Sequence, residues 1–209
     1  MDIDTLLAAR VRDLRKAQGA TLDQLAQRSG VSRSMISLIE RGASSPTAAV
    51  LSKLAAALDV PLATLFDTAP ADAERPPSPL ARPADQSLWT DPASGYQRRH
   101  LTPAGLGAPL ELVEVVFPAG QSVTFDNATR APAPTSAPSH SAPHQQLWLL
   151  EGYMTLTVGQ QTWQLAAGDC LAMAVNQPIV FANPGSRPAR YVLALTVSAP
   201  SAPSARTLR

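Results

Sequence analysis

Few residues of this 209-residue chain combine reactive chemistry with a spacing that could bring them together. Glu111 and Glu114 lie three apart in a run of alternating apolar residues. That spacing puts them on opposite faces of a strand and excludes a carboxylate pair for acid–base work. His100, beside Arg98 and Arg99, reads as an exposed strand edge. His140 and His144 fall in and just after a Pro/Ser/Ala-rich stretch without a neighbouring carboxylate, which makes a poor metal site. Cys170 is the single cysteine, so it forms no intramolecular disulfide and no zinc site, and its place in a strand predicts packing rather than reactivity. What remains is the chemistry of recognition. Ser32, Arg33, Ser34 and Ser37 follow Gly30 closely, and a glycine there can supply the left-handed turn that sets one short helix across another. An arginine so placed can donate two hydrogen bonds to guanine O6 and N7, while short hydroxyls suit phosphates and water-bridged base edges.

The elements that must hold these residues are legible in the spacing of apolar side chains. From Asp4 to Phe66 they recur every three or four residues and are broken by capping residues, the pattern of several short helices. Leu7, Val11 and Leu14 form one stripe, ended by Gly19. Thr21-Leu-Asp-Gln fits a capping box opening a second helix with Leu22, Leu25 and Ala26 inward. Ser32 caps a third with Met35, Ile36 and Ile39, and Ser45-Pro46 opens a fourth with Val50, Leu54 and Leu58. Pro61–Phe66 reads as a short fifth. Residues 68–86 are rich in proline and lack apolar periodicity, which predicts an extended spacer. Beyond it come short alternating runs separated by Gly and Pro turns: Gln97–Thr102, Leu110–Phe117, Ser122–Phe125, Leu147–Leu150, Met154–Val158, Thr162–Leu165, Cys170–Val175, Ile179–Ala182 and Arg190–Val197. These predict an antiparallel barrel or sandwich. The expected class is thus multidomain α plus β: a five-helix bundle over 1–67, a linker over 68–86, an antiparallel β-barrel over 87–198 and a disordered tail over 199–209.

The run Thr21-Leu-Asp-Gln-Leu-Ala-Gln-Arg-Ser-Gly-Val-Ser-Arg-Ser-Met-Ile-Ser-Leu-Ile-Glu-Arg-Gly resembles the helix-turn-helix of the phage-repressor, or XRE, family, with Ala26, Gly30, Val31, Ile36 and Glu40 matching its pattern. The resemblance makes the third helix the recognition helix, presenting Ser32, Arg33, Ser34 and Ser37. It places Thr21 at a phosphate, and puts Ser44, Ser45 and Thr47, with Arg41 close by, where the family's following loop touches the DNA backbone. The alternative for each is a solvated surface residue or a helix cap. It also implies an ion pair of Arg15 with Glu40, expected at the surface and worth about 0 to 1 kcal/mol.

The stretch Leu149-Leu-Glu-Gly-Tyr-Met-Thr-Leu-Thr-Val-Gly-Gln-Gln-Thr-Trp-Gln-Leu-Ala-Ala-Gly-Asp-Cys-Leu-Ala-Met, with Asn183-Pro-Gly further on, resembles the cupin family, a jelly-roll β-barrel. That family's metal ligands would fall near Pro138 and on His140, Gln145 and Ile179, so most are missing and neither metal nor other cofactor is expected. His140 and His144 read as exposed loop histidines or as part of a candidate effector pocket with Trp148 and Trp163. Trp148, Trp163, Met154 and Met173 otherwise fill the barrel core.

Composition bounds the function without deciding it. Net charge is +1, and residues 1–67 carry eight Lys/Arg against seven Asp/Glu, so a DNA claim must rest on placement. No apolar run reaches membrane-spanning length and the amino terminus lacks a signal-peptide pattern, so a cytoplasmic protein with no membrane partner is expected. The resemblances imply a regulator that binds double-stranded DNA as a homodimer and senses a small effector. The alternatives are a metal-dependent cupin oxygenase or isomerase carrying a DNA-binding domain, or a protein-interaction module.

Overall fold

A computed structural model describes residues 3–60, 62–66, 78–106, 108–127 and 144–196. Four α-helices come first: α1 (Ile3–Ala17), α2 (Leu22–Ser29), α3 (Arg33–Glu40) and α4 (Ala48–Ala57). Each of α2, α3 and α4 starts at a hydroxyl: Thr21, Ser32 and Thr47 accept the backbone N–H three residues on, and so satisfy an otherwise orphaned donor. Thr21 and Gln24 complete the capping box. Gly30 closes α2 at φ 67°, a left-handed conformation cheap only for glycine, and its N–H bonds back to Ala26. Leu7, Val11, Leu25, Ile36, Ile39, Leu51, Leu54 and Leu58 are buried together, each worth about 1.5 to 3 kcal/mol of apolar transfer. Met35, expected inward, is exposed instead, and Leu51 takes the buried place on α4.

The expected fifth helix is a single 3-10 turn, Leu62–Leu65. Four residues close too few hydrogen bonds to repay α-helix nucleation, and burial of Leu65 and Phe66 fixes the segment instead.

Among the described residues ten antiparallel strands follow: β1 (Leu88–Thr90), β2 (Gln97–His100), β3 (Leu110–Phe117), β4 (Ser122–Phe125), β5 (His144–Glu151), β6 (Tyr153–Val158), β7 (Gln161–Ala166), β8 (Cys170–Ala174), β9 (Ile179–Ala182) and β10 (Ala189–Thr196). They form two sheets, ordered β1-β2-β3-β10-β5-β8 and β4-β9-β6-β7. The expected closed barrel is therefore a two-sheet sandwich: no ladder joins the sheets among the described residues, and facing side chains fill the space between them. Gly152, at φ 85°, makes the β5–β6 turn where an added Cβ would lie 2.9 Å from Ala189 Cα.

The helical and β regions touch. α4 packs against the edge strand β4. Asp91 Oδ1 accepts the Ala48 N–H at 2.9 Å, placing a carboxylate at the amino end of α4 from outside the helical bundle. Phe66 meets Trp89 edge-on at 5.5 Å, and the aromatic contacts continue through Tyr96 to Phe117 in the sandwich. Burial pushes the Tyr96 and Tyr191 phenols well above their ordinary range.

Candidate nucleic-acid interface

One face of α3 is held against the rest of the helical unit. Arg15 of α1 donates through Nε and a second guanidinium nitrogen to the two oxygens of Glu40, both at 2.6 Å, and through its third nitrogen to the Ala20 carbonyl at 2.9 Å. The pair lies inside, with side chains 13% and 7% exposed, and not at the surface as expected. Its hydrogen bonds to Glu40 raise the Arg15 pKa further above its ordinary value. A bidentate pair of this kind fixes an angle as well as a distance. It ties the last residue of α3 to α1 and to the turn before α2.

The opposite face of α3 is free. Arg33, with its side chain 65% exposed, reaches back to Asp23 of α2 at 3.2 Å, a solvated pair that competes weakly with any stronger partner. Ser32 accepts the Met35 N–H at 3.2 Å, and its hydroxyl lies 3.1 Å from that of Ser34. Arg41 donates Nε to the Ser37 carbonyl at 3.2 Å, which lays its side chain along α3. An open groove of about 580 Å³ is lined by Leu22, Arg33, Ser34, Ser37, Leu38 and Arg41. It combines two guanidinium groups with small hydroxyls and no carboxylate.

The following loop is less available. Ser45 donates to Asp4 Oδ1 at 2.9 Å, which pins the start of α1, and Thr47 caps α4. Both hydroxyls are engaged within the fold, while Ser44 is half-buried. Thr21 is exposed and keeps its hydroxyl proton, since only its oxygen serves the cap.

In the sandwich, the residues expected to form an effector pocket do not converge. His144 and Trp148 share the outer face of β5, both exposed, whereas Trp163 is half-buried on β7 of the other sheet. His140 lies outside the described residues. Trp148 is 53% exposed because alternation on β5 turns Gln145, Leu147 and Leu149 inward. Cys170, its partner in register, is likewise exposed and not packed. Met154 and Met173 do lie in the core. Gln145 and Ile179, at two positions where cupin metal ligands would fall, are buried, and no group of three or more metal-ligating residues occurs among the described residues.

The sandwich also contains a polar group that sequence reasoning missed. His100, expected at an exposed edge, points inward beside Glu111, with His100 Nε2 and Glu111 Oε1 2.9 Å apart but not aligned as a hydrogen bond. Arg98 Nη2 lies 3.9 Å from the same oxygen. Phe66 covers both: its ring centre is 5.2 Å from the Arg98 guanidinium carbon and 5.6 Å from the imidazole. Trp89 Nε1 and Arg98 Nε also lack partners among the described residues. The signal in the sequence was the Leu-Trp-Thr run just after the linker, which forms β1 and carries the buried Trp89.

These features define a class: a helix-turn-helix unit with one open face on α3, joined to a cupin-type sandwich. The helix-turn-helix family HTH_3 matches residues 11–65 and the cupin family Cupin_2 matches residues 128–197, so the chain carries a helix-turn-helix domain and a cupin domain. Among curated proteins it is similar to the HTH-type transcriptional regulator SutR of Escherichia coli, 26% identical over 190 residues that cover 88% of this chain and 91% of SutR. The HTH-type transcriptional regulator SinR of Bacillus subtilis is 38% identical over 63 residues, 30% of this chain and 57% of SinR. The crystal structure of an HTH_3 family transcriptional regulator from Vibrio cholerae shares the fold at a TM-score of 0.70 and 24% identity, over 94% of this chain and 98% of that one.

Proposed function

We propose that the protein is a sequence-specific DNA-binding transcriptional regulator in which residues 1–67 read an operator and residues 87–198 dimerise the chain and sense a small effector. The observation that carries this reading is the contrast between the two faces of α3, one locked by Arg15 and Glu40 and the other presenting Arg33, Ser34 and Ser37 to an open groove. An exposed helix of two turns with an arginine at its leading end suits the major groove. Ser32, Arg33, Ser34 and Ser37 are assigned to base edges and adjacent phosphates, and Thr21, Arg41 and Ser44 to the backbone. Ser45 and Thr47 act by shaping the loop.

Two helices reading successive major-groove faces sit about 34 Å apart, which calls for a dimer. The contacts of Phe66 with Trp89, Arg98 and His100, and of Asp91 with α4, offer a route by which a ligand favouring one arrangement of the sandwich would bias the helical unit. The assignment is to a binding protein of the cytoplasm and not to an enzyme; buried Gln145 and Ile179 where cupin ligands would fall support it. No helix among the described residues is long and apolar enough to cross a membrane.

The test is selection of genomic fragments by the purified chain. The expected result is a shared motif with two related half-sites, footprinted by wild type and lost with Arg33→Ala. Fragments retained without any common sequence would refute the reading.

A further inference from the structure

We propose that the outer face of the six-stranded sheet is the surface through which two copies of this chain pair, an inference that rests on the dimeric reading above. Register defines the face. One row runs across all six strands as Leu88, Arg99, Glu114, Val192, Trp148 and Cys170. The rows on one side carry Leu112, Ala194, Gln146 and Ala172, then Leu110, Thr196, His144 and Ala174. Leu88, Leu110, Leu112 and Trp148 are all large, apolar and exposed, although alternation in a sheet with one wet face should make these positions polar.

The charges on the face favour a second copy over a charged partner. Arg190 and Glu151, in the adjoining row, bond to each other, Arg190 bonds to Glu114 at 3.0 Å, and Arg99 lies 3.5 Å from Glu114, so the charges between Leu88 and the Val192–Trp148 side of the face are already paired. The apolar centre therefore presents no unpaired charge to desolvate, and a flat surface of this kind can meet its own image about a two-fold axis. Four strands at about 4.8 Å spacing and these three same-face rows at about 6.8 Å give roughly 390 Å² before side-chain relief, to which the projecting Trp148, Leu110 and Leu112 add towards the ~600 Å² per partner at the lower end of specific interfaces. Trp148 is the largest exposed apolar side chain on these rows and of a residue type that often anchors such a contact.

Sedimentation equilibrium of the full chain tests the face. Wild type should sediment at twice 22.0 kDa, and Trp148→Glu at 22.0 kDa with unchanged circular dichroism. Leu112→Lys gives the same answer should the tryptophan variant fail to fold. Cys170 offers a readout that needs no substitution, because it is the only cysteine and lies on this face. Its modification by a maleimide should slow several-fold as protein concentration rises through the dimerisation range. Protection that does not change with concentration would mean that a segment of the same chain covers the face, and would overturn the proposal. A dimer that survives both substitutions would overturn the face while leaving the dimeric regulator intact. A wild-type monomer that binds one half-site specifically would remove the face and the dimer together, but not the assignment of Arg33.

Discussion

Among the described residues, one arginine–glutamate pair lies buried in the helical region and another in the sandwich, and they are built in opposite ways. Arg15 and Glu40 meet in a bidentate pair at 2.6 Å, with the remaining guanidinium donor on a backbone carbonyl. Arg98 and Glu111 stand 3.9 Å apart under Phe66, in a group with buried donors and an acceptor left unpartnered among the described residues. A completed buried pair gives up desolvation energy but recovers it through geometry, whereas an incomplete one leaves each unpaired group costing about 1 to 3 kcal/mol. α3 is therefore tied to α1 by a completed pair, whereas the junction with the sandwich is held at a cost. That difference leaves the junction easier to bias than the seat of α3.

The comparison breaks first at Glu40. Glu40→Ala leaves a buried guanidinium without its partner and should cost about 3 to 5 kcal/mol, seen as early melting of the helical unit in thermal denaturation. A loss under about 1 kcal/mol, the usual worth of a surface pair, would show that the bond does not position α3. The opposite outcome is expected at the junction. Replacing Arg98 and Glu111 together by leucine should be neutral or should stabilise the chain by about 1 to 4 kcal/mol in urea titration, because apolar groups replace poorly paired charges. A destabilisation as large as that of Glu40→Ala would make the two pairs equivalent and end the comparison. The smallest effect is Ser32→Ala, expected to cost about 1 kcal/mol through loss of the α3 cap, with melting again the readout.

The helical half was legible because its signals are local. A hydroxyl three residues before the backbone N–H that donates to it, as at Thr21 or Ser32, or a glycine at the end of a stripe, as at Gly30, states its role within one turn of chain. Arg15 and Glu40 could be paired by resemblance, but their burial could not be read, since it depends on how three segments close around them. In the sandwich the strand runs were visible, yet the facing of each side chain was decided by register with strands far away in sequence. Trp148 and Cys170 face out because the neighbouring positions Leu147, Leu149 and Leu171 are drawn inward or partly so. His100 faces in because it pairs beside Val113 on the inner face of β3. The aromatic contact of Phe66 with Trp89 crosses the linker, and no spacing within either region announces it.

The central claim is that the leading end of α3 reads bases, and fluorescence anisotropy on a selected operator and a scrambled duplex tests it most directly. Arg33→Ala should weaken operator binding by about 1 to 3 kcal/mol, roughly 5- to 150-fold, while leaving the scrambled duplex nearly unchanged once its salt dependence is matched. Equal loss on both duplexes would make Arg33 a phosphate contact, and no loss on either would contradict the account.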